Sequence, residues 1–214
     1  VLPRRFLPLM LLPACTLPLN SALRDWARQA SFAVARAAPG EDAPQREARG
    51  ALAAYFYALG VLWDGAPLNF QPAAFAPGAT EPAIAALSSA LSAASADTPP
   101  RWATNEVTSS RPTYEDRRLA RLIRAADAPV QQLLLQLKTG APPGEGAVLS
   151  RIGEGHGVLL ANAARLSQRE TERQIMAARD ALSREMRRLP PPAPQLAGAN
   201  DGPVPASLAA IFPP

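Results

Sequence analysis

Histidine occurs once in the 214 residues, at His156, inside the string Gly153-Glu154-Gly155-His156-Gly157. Two chemistries suit such a string. A glycine-rich loop can cradle a phosphate, and a His beside a Glu can serve as a general base. A phosphate cradle needs a strand before it and a helix after it, with Lys-Ser/Thr following. Here both flanks carry helix-type spacing and no Lys-Ser/Thr follows. The other reading is a helix whose small residues let a second helix cross closely, with His156 satisfied at the crossing. Three glycines inside a helix cost ~1 kcal/mol each relative to alanine, so close packing, a kink or a ligand must offset them. The packing reading is preferred. Glu154 and His156 are the candidates for a partner or ligand contact.

Other reactive sets are thin. A metal centre needs several His, Cys or carboxylate ligands converging. With one His and one Cys in the chain, neither zinc nor any other cofactor is expected. A serine hydrolase would have His156 as its only histidine base, and the Gly-x-Ser-x-Gly elbow is missing. The acidic pairs Glu41-Asp42, Glu115-Asp116 and Glu170/Glu172 fall at expected helix starts or on charged faces. The helix dipole explains the first two. Tyr55-Phe56-Tyr57 with Trp63 is the densest aromatic cluster and reads as core. No catalytic residue is assigned.

The bulk composition narrows the class. The chain is 48% hydrophobic and 19% charged, enough to bury a core, and only 6% aromatic, which argues against a base-stacking or sugar-binding surface. Alanine occurs 45 times, and arginine outnumbers lysine 21 to 1, a bias expected of a GC-rich coding sequence. The formal charge is +4, and without Arg4 and Arg5 it falls to +2. Such a mild excess serves solubility, and no nucleic-acid partner is expected. Multi-span membrane proteins, disulfide scaffolds and fully disordered chains are excluded by composition.

The first fifteen residues carry the sharpest signal. Arg4 and Arg5 form a positive patch, Phe6 to Leu12 an apolar run broken by Pro8, and Leu12-Pro13-Ala14-Cys15 closes it. The run is far below the ~20 residues that cross a bilayer but matches the ~7–15 of an export signal. Cys15 is the only cysteine, so an internal disulfide cannot explain it. Leu12-Pro13-Ala14-Cys15 resembles a bacterial lipobox, with Leu at −3, a small residue at −1 and Cys at +1, although Pro13 departs from the usual residue at −2. The resemblance covers these fifteen residues only. It implies that residues 1–14 are a signal peptide, that Cys15 is lipidated, and that residues 15–19 form a tether. Acyl chains on Cys15 would hold the protein to a membrane. By the sorting rule of enteric bacteria, Thr16 in place of Asp points to the outer membrane, facing the periplasm.

Behind that anchor the spacing of apolar residues is helical throughout. Asn20 or Ser21 starts a helix running to about Ala38, with Leu23, Trp26, Ala30, Ala33 and Ala37 on one face. A second helix is expected over about 44–63, with Ala48, Leu52, Tyr55, Leu59 and Leu62 inward, ending at Asp64-Gly65. Residues 65–79 read as a loop that pins itself with Phe70 and Phe75. Thr80 starts a third helix with Ile84, Leu87 and Leu91 inward. Thr113 to Asp116 resembles a capping box for a fourth, which Asp127 and Pro129 kink or restart. A last, long helix spans about 146–189. Its heptads Ile152/Leu159/Leu166 and Ile175/Leu182/Leu189 are two positions out of phase. Residues 190–214 hold eight prolines and one charge, and a disordered tail is expected, with a small apolar knot at Leu208 to Phe212.

The expected fold is therefore all-α, a helical bundle of about five helices over residues 20–189, with a long C-terminal helix and a disordered proline-rich tail. The expected function is a non-enzymatic cell-envelope lipoprotein that binds or spaces other envelope components and so has a protein partner there. The alternatives are a lipid-anchored small-ligand binder or enzyme using His156, and a regulator or exclusion factor of an envelope complex.

Overall fold

The computed structural model describes residues 21–36, 41–77, 80–97, 111–190 and 206–213. Six helices carry the fold: α1 (Ala22–Ala35), α2 (Ala43–Trp63), α3 (Pro82–Ala96), α4 (Arg111–Lys138), α5 (Pro143–Ala161) and α6 (Arg169–Arg188). A single turn, α7 (Ala206–Ala209), follows. Among the described residues there is no strand.

Helix α2 joins α1 to α3 and α4. Its start is fixed by a reciprocal cap. Gln45 N–H donates to Asp42 Oδ1 at 2.8 Å, and Asp42 N–H donates to Gln45 Oε1 at 3.3 Å. Its end is fixed by Gly65, whose φ of 71° is open to glycine at little cost. Between these ends, α2 packs against α1, α3 and α4. The seam with α1 is built from alanine: Ala27 and Ala30 on one side and Ala51, Ala54 and Ala58 on the other are fully buried. Small side chains permit a close approach, and Ser31 Oγ donates to the Ala53 carbonyl at 2.8 Å.

The other helices complete a ring that closes through α2. Helix α3 lies against α4, α4 against α5, α5 against α6, and α6 returns to α1. Where α6 meets α1, Gln29 Nε2 donates to Ser183 Oγ at 2.7 Å, and Arg179 pairs with Asp25 at 3.7 Å. One buried apolar cluster runs through the ring, with Trp26, Tyr55, Phe56, Leu87, Leu119 and Leu133 among its largest members.

Three expectations are corrected here. The long last helix is two helices. Its break at 162–168 is set by Asn162, whose Nδ2 donates to the Val158 carbonyl and to Gln174 Oε1, both at 2.9 Å. The two out-of-phase heptads therefore lie on two helices that fold back on each other, with Leu166 buried in the turn. Pro129, by contrast, lies inside one continuous helix and does not restart α4 as a separate element. The carbonyl it deprives of a donor belongs to Ala125, which lies on the exposed side where water can serve it. The same helix already runs at Arg111, upstream of the expected cap at Thr113.

The end of the tail is the third correction. Leu208 and Ile211 are buried, and the Phe212 ring lies 5.2 Å from Tyr57 and 5.8 Å from Phe70. Gln71 N–H donates to the Ile211 carbonyl at 2.9 Å. The apolar knot gains more from that cover than the short segment loses in freedom. The loop beneath behaves as expected, with Phe70 and Phe75 meeting edge to face at 5.4 Å. Residues 191–205 lie outside the described residues.

Candidate functional site

His156 projects from α5 into the space between α2 and α4. What brings α5 so close is Gly155. A Cβ there would stand 2.5 Å from Trp26 Nε1 and 2.7 Å from two ring carbons, well inside contact distance. Gly153 and Gly157 have no such demand. A Cβ at 153 would meet Gln131 Oε1 at 3.4 Å, and one at 157 would meet nothing within 4 Å. The helix crossing inferred from the glycine string is therefore present, and one of its three glycines carries it.

The imidazole sits in a three-residue polar chain. Tyr55 Oη from α2 lies 2.8 Å from His156 Nε2, and Asp127 Oδ1 from α4 lies 3.3 Å from Nδ1. Tyr55 and His156 are wholly buried, while the Asp127 side chain is one-third exposed. The contact to Nδ1 is oblique and falls short of a well-aligned hydrogen bond, so Asp127 acts on the ring chiefly through its charge. Burial lowers the His156 pKa to about 4, and the Asp127 carboxylate opposes part of that fall. Burial also pushes the Tyr55 hydroxyl well above its usual range, and Asp127 adds to the shift. At neutral pH the consistent assignment is a phenol donating to Nε2, with the Nδ1 proton turned toward Asp127.

Hydroxyl, imidazole and carboxylate stand here in the order used by an activated nucleophile, its base and the group that orients the base. Neither the phenol nor the imidazole reaches solvent in this arrangement. The hydroxyl is a buried phenol packed edge-on against Phe56, with ring centroids 5.2 Å apart. Two clefts among the described residues, one between α4 and the α5–α6 turn and one between α4 and α5, are lined by neither Tyr55 nor His156. The chain of three bolts α2, α4 and α5 together.

Glu154 is not part of this arrangement. Its side chain is 61% exposed and accepts from Arg151 Nη1 at 2.7 Å. Successive helical residues diverge by about 100°, so neighbours in sequence leave on different faces. Cys15, with Leu12, Pro13 and Ala14, lies outside the described residues. Among the described residues no group of three or more His, Cys, Asp or Glu could hold a metal ion.

The sequence reading missed a second buried polar cluster. Arg49, almost wholly buried on α2, pairs with Glu41 and Glu145 and donates from Nη1 to the Val34 carbonyl at 3.2 Å. It ties the start of α2 to the C-terminal end of α1 and the first turn of α5. A signal was present: Arg49 falls three residues before Leu52 and seven before Phe56, on the apolar face. Arg118 is also buried and donates to the Ala94 carbonyl at 3.1 Å.

No protein-family model, curated protein or solved structure matches the chain.

Proposed function

We propose that this chain is a lipid-anchored protein of the bacterial cell envelope whose helical body binds or spaces other envelope components without catalysing a reaction. The observation that carries the reading is the run from Arg4-Arg5 through the apolar Phe6–Leu12 to Leu12-Pro13-Ala14-Cys15. In this reading Cys15 bears the acyl chains, and Thr16 places the protein at the outer membrane, facing the periplasm. No helix among the described residues is long and apolar enough to cross a membrane. In this reading the acyl chains supply the attachment.

The helical body supports the non-enzymatic side of the proposal. The lone histidine, the only general base of its kind in the sequence, is sealed between three helices and engaged by Tyr55. A ligand binder or enzyme working through His156 would have to open the core to reach it. A regulatory or exclusion role toward an envelope complex uses the same body and the same anchor. The test is metabolic labelling with palmitate in wild type and Cys15→Ser, followed by membrane fractionation. Label and membrane association in the wild type, both lost in the variant, support the reading. Equal membrane association with no label in either form rejects it.

A further inference from the structure

Between the first half of α4 and the α5–α6 turn lies a cleft of about 560 Å³. Arg117, Arg121 and Arg124 line it from α4, and Arg165 faces them from the turn. The α4 residues recur at spacings of four and three, which places them on one face over ~10 Å. Buried Ala120 forms part of the floor, and Gln168 stands on the wall.

Among the described residues this cleft gathers four arginines around one concavity. Elsewhere several arginines are answered by acids: Arg28 by Asp64 at 2.8 Å, Arg151 by Glu154 at 2.7 Å and Arg188 by Glu185 at 2.9 Å. In the cleft, Arg121 pairs with Asp97, while Arg117, Arg124 and Arg165 have no acidic partner among the described residues. On α4 and α6, the carboxylates whose side chains are described are turned to other tasks. Asp127 faces His156, Glu170 pairs with Arg173, and Glu170 and Glu172 answer the dipole of α6. Like charges held together repel, and nothing in the packing of these exposed side chains requires arginine.

We propose that this cleft is a binding site for a phosphate-bearing anion carrying two or more negative charges. The planar guanidinium fork matches phosphate oxygens bidentately, and a concave wall with a small apolar floor suits a compact head group. The same chemistry is found on a free oligophosphate and on the head group of an anionic phospholipid. The inference stands on the cleft alone and does not require the anchor at Cys15.

Two probes separate the sources: pyrophosphate by isothermal titration, and vesicles of phosphatidylcholine with or without phosphatidic acid by sedimentation. Each is applied to the full-length wild type, to Arg117→Gln/Arg124→Gln, and to Arg184→Gln/Arg187→Gln, which removes the same charge from exposed α6 positions. The cleft variant is expected to bind at least about tenfold more weakly than wild type, because a hydrogen bond to a charged group is worth roughly one decade or more. The α6 variant is expected to bind as wild type does, and both variants to keep the wild-type unfolding midpoint. Cleft-dependent binding of pyrophosphate assigns a free oligophosphate. A cleft-dependent gain only on phosphatidic acid vesicles assigns a lipid head group. Binding of neither probe, or equal losses in the two variants, overturns the proposal.

Discussion

Gly155 gives the sharpest test of the helix crossing. Alanine at an unconstrained mid-helix glycine stabilises by ~1 kcal/mol. At Gly155 the new methyl would lie 2.5 Å from Trp26 Nε1 and 2.7 Å from Cε2 and Cζ2. Optimal contact is about 3.5 Å or more, so ring or helix must move by about 1 Å. The ring has no exposed side to yield toward, because Trp26 is fully buried and held edge-on by Phe56 at 5.5 Å. Overpacking of this kind costs about 1–3 kcal/mol and outweighs the helix gain. The expected order in urea denaturation followed by circular dichroism is Gly157→Ala above wild type, Gly153→Ala at or above wild type, and Gly155→Ala below it. The Gly155→Ala/Trp26→Leu double variant should be less destabilised than the two single effects added, by about 1 kcal/mol or more. If Gly155→Ala proves as stable as Gly157→Ala, the crossing is not as close as described and the reasoning fails.

Other expectations follow from the buried polar groups and the tail. His156 has a folded pKa near 4 and an unfolded value near 6.5. The folded state thus favours the neutral ring, and its contribution is complete above about pH 6.5. It declines as pH falls from 6.5 toward 4, by about 3 kcal/mol in all. Urea midpoints measured across that range should fall in wild type and be flatter between pH 6.5 and 5 in His156→Leu. An equal slope in both would remove His156 as the cause. Arg49→Met leaves Glu41 and Glu145 without their cation, and a loss of about 3–5 kcal/mol is expected, little changed by salt. A loss below about 1 kcal/mol would show that the pairing is solvent-screened. Leu208→Ala, at a site 1% exposed, should cost about 2–5 kcal/mol if α7 unfolds with the body. If α7 peels away alone, limited proteolysis between residues 190 and 206 should quicken with the urea midpoint unchanged.

Helix periodicity made the body readable because each inward face repeats within its own segment. Leu52, Tyr55, Leu59 and Leu62 of α2, and Ile84, Leu87 and Leu91 of α3, are all buried. The α5–α6 break lacked such a local sign. Ala161 to Ser167 contains neither Pro nor Gly, and the turn depends on Asn162 reaching Gln174, a contact that exists only once α6 has folded back. The phase slip in the heptads was its one trace. Arg49 was missed because arginine is ordinarily a surface residue, and Glu145 stands 96 residues away. In the tail, prolines outweighed an apolar knot whose receptor, Tyr57 with Phe70, is assembled by α2 and its following loop. His156 was placed correctly at a helix crossing, but neither Tyr55 nor Asp127 could be named as its neighbours from spacing along one helix.

The attachment at Cys15 is the claim on which location and role both depend. Mass spectrometry of the N-terminal peptide of protein purified from its native host tests it directly. The account requires a chain that starts at Cys15, with a diacylglyceryl thioether on its sulfur. A peptide that retains Leu12-Pro13-Ala14 joined to an unmodified Cys15 would contradict it.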